Sequence, residues 1–266
     1  MFDTPAKPSR WWPRLGGVAL IAAAGIATVA WIDAAAEPTP TIHSNSDAFA
    51  GYDNLLGELV DADGLVDYDA IITDPTRLDA FIASLATVDL DAMSEDAKLA
   101  TLINAYNAFT LRLIADFPDV DSIFDIPEDK RWIHARWHLA GKTVSLDALE
   151  HQIIRVQFAE PRIHWAVVCA AISCPPLRPE AYVADRLDEQ LADQERIVHT
   201  SPKWQQYDDA GNVLKLTPLY DWYGEDFGDG SAASIIANAA PYVDGLNADD
   251  TPTLDWLPYD WSLNKQ

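Results

Sequence analysis

Basic residues are scarce in this chain. Eighteen Lys and Arg stand against 42 Asp and Glu, a formal net charge of −24 over 266 residues. So negative a surface repels phosphate backbones and anionic headgroups, which excludes nucleic acid as a partner of the folded part. Only two cysteines exist, Cys169 and Cys174. Neither lies near the N-terminal segment, so a lipoprotein-type anchor is not expected there. Glycine is outnumbered by proline, 12 to 17, which argues against low complexity. No dinucleotide-type glycine loop is present: Gly228-Asp229-Gly230 lacks both a preceding strand and a third glycine.

Metal motifs are missing too. His134 and His138 have i, i+4 spacing, but they flank Trp137 in a stretch that reads as strand, with no acid arranged as in H-E-x-x-H. Acids at 61, 63, 67 and 69 surround Gly64, which falls at the fourth position of the would-be calcium loop instead of the sixth. The segment reads as a turn. No metal and no cofactor are expected, and no internal repeat is present.

What remains is globular composition, 49% hydrophobic and 10% aromatic, enough for one sizeable core. The first 36 residues stand apart. Lys7, Arg10 and Arg14 precede 18 uncharged residues, Leu15 to Ile32, and Ala34-Ala35-Ala36 follows. This reads as a signal peptide or, if uncleaved, as an N-terminal membrane anchor, the only membrane contact expected. Either reading puts the rest outside the cytoplasm, periplasmic or tethered to the outer face of the inner membrane. Residues 37–48, with Pro38 and Pro40, read as a linker, and 49–266 as a single domain.

Within that domain Phe49 to Val60 reads as a helix. Ser94 caps another, running to Pro118, which is apolar around most of its circumference and so buried on more than one side. Asn104 and Asn107 lie on it and need buried partners. A hairpin turns at Gly141-Lys142. Ser145 then opens the helix SLDALEHQIIRVQF, whose inner face at 100° per residue is Leu146, Leu149, Ile153 and Val156, with Glu150 among them. The apolar run His164 to Ala170 suits a strand covered on both faces. Asp185 to Val198 and Ser231 to Ala240 read as helices, Val213 to Thr217 as a short strand. The aromatic tail from Trp256 to Asn264 is irregular and packs on the body. The expected fold is α+β, helices around a small, mostly antiparallel sheet, papain- or transglutaminase-like only at a distance.

The segments INAYNAFTLRLI (103–114), LDALEHQIIR (146–155), PRIHWAVVCAAISCPPLR (161–178), LYDWYGEDFGD (219–229) and LPYDWSLN (257–264) together resemble the family called domain of unknown function 547. The resemblance spans roughly residues 50–264. It implies no settled activity, and it marks Asn104, Asn107, Glu150, His151, Arg162, His164, Cys174 and Pro175 as motif positions.

Two functions stay open. In the first, Cys174 is the nucleophile of a thiol-dependent hydrolase or transferase, with His164 or His151 as base, Glu150 orienting it, and Asn104, Asn107 and Arg162 binding ligand. If 164–170 is extended, His164 lies ~20 Å from Ala170, whereas four residues reach back at most ~14 Å; His151 escapes that constraint. In the second, Cys169 and Cys174 form a structural disulfide, and the chain is a non-catalytic module binding a small molecule, peptide or glycan. Trp222, Tyr223, Trp256, Tyr259 and Trp261 would then supply a stacking surface.

Overall fold

The computed structural model describes residues 43–246 and 250–266. The signal or anchor segment and the first part of the linker lie outside those residues. Helix α1 (His43–Leu59) starts six positions before Phe49, so the second half of the expected linker is helical. Helices α2 (Tyr68–Thr73) and α3 (Thr76–Leu85) follow. Between α1 and α2 the chain turns at Gly64, whose φ of +78° and closeness to Pro176 leave no room for a side chain: a Cβ would sit 2.4 Å from the Pro176 Cβ.

Helix α4 (Glu95–Ala115) is the axis of the fold. Ser94 Oγ accepts the Ala97 N–H at 3.3 Å, and Glu95 and Asp96 meet the positive end of the dipole. Leu102, Ile103, Ala105, Ala108, Phe109 and Leu113 are fully buried, so the helix is surrounded, as its composition required. Strands β1 (Trp137–Leu139) and β2 (Lys142–Val144) form the expected hairpin, closed by Ala140 and Gly141 at φ 49° and 74°.

The next helical stretch is not uniform. It runs through α5 (Leu146–Ala148), a π-helical turn (Leu149–Ile154) and α6 (Arg155–Gln157). The Arg155 N–H bonds the Glu150 carbonyl, an i to i+5 step. The wider turn rotates the helix and revises its inner face. Glu150 and Ile154 are buried, Ile153 is half-buried, and Val156, expected inside, is 74% exposed.

The strand expected at 164–170 is not formed. Ile163–Ala166 is one helical turn, α7, and the chain from Val167 to Arg178 is irregular. Burial on all sides does not by itself choose a strand. Here side-chain amides replace the ladder: Asn107 Nδ2 donates to the Ala166 carbonyl (2.9 Å) while Asn107 Oδ1 accepts the Val168 N–H (2.9 Å).

Helix α8 (Leu187–Thr200) leads into a three-stranded sheet ordered β3-β4-β5. Strands β3 (Gln205–Asp208) and β4 (Val213–Leu216) pair antiparallel; β4 and β5 (Thr253–Trp256) pair parallel. Helices α9 (Leu219–Tyr223) and α10 (Ala232–Ala239) fill the crossover. Two buried clusters result. The larger wraps α4; the smaller gathers Trp165, Trp204, Leu214, Leu216, Tyr220 and Ile235. The architecture is α+β, with helices around two small, mostly antiparallel sheets. The tail stitches its parts together: Ile172 N–H bonds Ser262 O, Asn264 N–H bonds Ala170 O, and Val66 N–H bonds Asn264 O.

Candidate functional site

The π turn has a chemical consequence, because it places Glu150, His151 and Arg155 toward one region. Asp226, from the 3₁₀ turn after α9, is the hub of that region. Arg155 grips it in bidentate fashion, Nε to Oδ2 at 2.6 Å and Nη2 to Oδ1 at 2.9 Å. His164, 2% exposed, reaches Oδ2 through Nε2 at 2.6 Å. Burial would raise the Asp226 pKa, but the bonds from His164 and Arg155 outweigh it and hold the carboxyl far below its usual range.

Arg155 Nη1 also lies 3.0 Å from His151 Nδ1. A guanidinium only donates, so Nδ1 is the acceptor and the neutral ring carries its proton on Nε2. That nitrogen is 3.9 Å from Glu150 Oε1. Burial lowers the His151 pKa; Glu150 opposes this, and the neighbouring Arg155 charge reinforces it. The Tyr223 ring links both histidines, stacked on His164 at 4.2 Å and on His151 at 6.0 Å, with the Arg155 guanidinium 5.0 Å from its centroid.

Glu150 is buried and ringed by phenols. Tyr106 and Tyr223 hydrogen-bond to it, and Tyr259 lies close enough to feel its charge. Burial first, then the Glu150 charge, pushes all three phenols up, so they remain protonated donors. Tyr259 extends the group toward the cysteines: its hydroxyl is 3.2 Å from Cys174 Sγ and 3.3 Å from Cys169 Sγ.

The sulfurs are joined. Cys169 and Cys174 form a disulfide with a Cα separation of 6.3 Å. Cys174 therefore presents no thiol in this state. The two histidines are engaged as described, one with Asp226 and one with Arg155.

The other expected site residues separate from this group. Asn104 spends its amide on Tyr182, donating to the carbonyl at 2.8 Å and accepting the N–H at 2.9 Å. Asn107 does the same for Ala166 and Val168. Both act as main-chain clips. Arg162 points elsewhere, paired with Glu160 (2.6 Å) and Asp188 (2.9 Å). Pro175 is buried beside the disulfide loop. Arg155, Tyr106 and Asp226 are the residues that sequence reasoning passed over. Asp226 had a signal: it sits inside LYDWYGEDFGD, one of the segments that carries the resemblance.

Against this group lies an aromatic layer. Tyr259 packs on Trp222 at 4.9 Å and on Trp261 at 4.5 Å, and Trp222 stacks on Trp261 at 5.7 Å and 18°. Phe124 and Trp132 continue it, 4.6 and 6.3 Å from Trp261. Phe124 is 41% exposed, and the three tryptophans are half-buried. Arg131 lies over the Phe124 and Trp132 rings at 5.0 and 5.6 Å, and its Nε is buried without a hydrogen-bond partner among the described residues. Trp256, expected on this surface, sits on β5 against the smaller core instead. Among the described residues no group of three or more His, Cys, Asp or Glu is arranged to hold a metal ion. No helix there is long and apolar enough to cross a membrane.

Residues 90–197 match the model of a family described as a protein of unknown function, DUF547. The matched stretch carries Tyr106, both asparagine clips, Glu150, His151, Arg155, His164 and the disulfide; Tyr223, Asp226 and Tyr259 lie beyond it. No curated protein and no solved structure matches the chain.

Proposed function

We propose that this chain is an extracytoplasmic binding module that takes carboxylate-bearing glycans on the Phe124–Trp132–Trp222–Trp261 layer, with no hydrolytic chemistry at Cys174. The observation that carries the reading is the continuity of that layer. Four aromatic side chains joined through Trp261 keep exposed area in an otherwise acidic molecule. Flat indole faces suit the C–H faces of sugar rings. Arg131, whose planar guanidinium lies over the Phe124 and Trp132 rings, suits a sugar carboxylate. Beneath the layer the Glu150, His151, Arg155, Asp226 and His164 network is satisfied internally, as a structural support would be. The basic and apolar N-terminal segment supports an extracytoplasmic address.

The test is a titration with peptidoglycan fragments and neutral glycans, read by tryptophan fluorescence and thermal shift. Acidic fragments are expected to shift both signals, and Trp261→Ala and Arg131→Ala to abolish the response while the protein stays folded. Absence of any response to either glycan class overturns the reading. A response to aromatic peptides alone replaces the glycan with a protein partner.

A further inference from the structure

We propose that the Cys169–Cys174 disulfide is a thiol-exchange site, opened by an external thiolate at Cys169 with Cys174 as the leaving sulfur. This goes beyond the glycan reading and needs no bound glycan. Three observations carry it.

The two sulfurs are not equivalent. Cys174 Sγ accepts the Cys169 backbone N–H at 3.0 Å and lies 3.2 Å from the Tyr259 hydroxyl, whereas among the described residues Cys169 Sγ has only the shared Tyr259 contact at 3.3 Å. Disulfide sulfurs carry no proton, so Tyr259 is the donor. Two donors converging on Cys174 are the arrangement that stabilises a thiolate. Access runs the other way. Cys174 is 4% exposed, while Cys169 is half-buried and more open to attack.

The loop is also held in shape without the bond. Ile172 N–H bonds Ser262 O (2.7 Å), Ser173 N–H bonds Asp260 O (3.1 Å), Ser173 Oγ accepts the Asp260 N–H (2.8 Å), and Trp204 Nε1 donates to Ser173 O (3.0 Å). These contacts keep the two sulfurs adjacent after reduction, so the pair can close again. By contrast, a cross-link spanning five positions closes a short loop and so removes little chain entropy. That is a small return if the bond served stability alone.

The chemistry balances as two exchanges. A thiolate RS⁻ attacks Cys169 Sγ; the Cys169–Cys174 bond breaks, an RS–Cys169 bond forms, and the electron pair leaves on Cys174 Sγ. A second thiolate then attacks the RS sulfur, giving RSSR and the Cys169 thiolate. The protein pair gains two electrons and the thiols lose two.

The experiment exposes the native chain to glutathione redox buffers, alkylates it, and maps each cysteine by mass spectrometry. The expected intermediate carries glutathione on Cys169 and an alkyl group on Cys174. Glutathione found on Cys174, or a disulfide that opens only in denaturant, overturns the proposal. A second reading uses Cys169→Ala, which keeps the backbone N–H: its Cys174 should label readily near pH 7. Adding Tyr259→Phe should slow that labelling about fivefold, the effect of one net hydrogen bond. If glutathione fails but a protein dithiol such as reduced thioredoxin opens the bond with the same site preference, the exchange site stands with a protein as its partner. Glycan binding is measured separately, so either idea can fall alone.

Discussion

Asparagine is usually weak in the middle of a helix, because its amide competes for the backbone. Asn104 and Asn107 turn that habit to use across space instead of along the chain. One helical turn apart on α4, each closes a two-bond ring with an irregular segment, Tyr182 in one case and Ala166 to Val168 in the other. The second clip follows directly on His164 and precedes Cys169, so it sets both the histidine and the disulfide loop. Removing the amide leaves a buried N–H and a buried carbonyl unpaired. Asn107→Ala should therefore lower the free energy of unfolding by about 3 kcal/mol, read as a shift of the urea midpoint with an unchanged slope. Asn107→Asp keeps an acceptor for Val168 but turns a carboxylate toward the Ala166 carbonyl, and should be comparably unstable. A midpoint that barely moves in both would mean that water takes over the clip.

At the scale of elements, what could be read beforehand was whatever local rules decide. Ser94 and Ser145 cap their helices as expected, with Oγ bonds to Ala97 and Ala148. The hairpin at 137–144 follows from its glycine turn. The buried circumference of α4 follows from its composition. Two features escaped for physical reasons. A 100° helical wheel cannot show a π turn, so Val156 was placed inside and the joint orientation of Glu150 and Arg155 was missed. An apolar run buried on all sides carries no period, so 164–170 looked like a strand until the Asn107 clip showed where its hydrogen bonds go. The candidate site was legible in Glu150, His151 and His164, and not in Asp226, whose role depends on a fold that brings residue 226 to residue 155. The π turn itself is testable. Gln152 is exposed within it, so Gln152→Ala should be nearly neutral in urea. Inserting one alanine after Gln152 adds a residue the wide turn cannot absorb and swings either Glu150 or Arg155 out of the network by one residue, ~100°. The insertion should lose near-UV circular dichroism from the aromatic layer and shift the urea midpoint strongly. Equal behaviour of the two variants would show that the wide turn is incidental.

Over the whole molecule the question is which charges govern its response to acid. The net charge of −24 favours a modest gain in stability on adding salt at neutral pH, because self-repulsion is screened. Protonating the carboxylates relieves the same repulsion, but chiefly at and below their usual range near pH 4. Above that range a buried histidine acts in the opposite sense. His199 is 2% exposed, with Nδ1 2.7 Å from the Glu195 carbonyl, and burial pushes its pKa down from 6.5 to about 4. Between those two values the unfolded chain takes up a proton that the folded chain refuses, so stability falls as pH falls from 6.5 toward 4, by about 3 kcal/mol in total. His151, also lowered by burial, adds in the same direction. Asp226, whose pKa is depressed, stabilises above the ordinary carboxylate value of 3.8 and loses that contribution only as pH drops further, outside the histidine window. Urea unfolding measured at pH 7, 6, 5 and 4.5 should therefore show a steady decline in the wild type. His199→Gln is expected to start lower, having lost its bonds, but to follow a flatter curve. The slope, not the level, carries the argument, and a slope that survives the substitution would place the acid sensitivity at His151, within the Glu150 network.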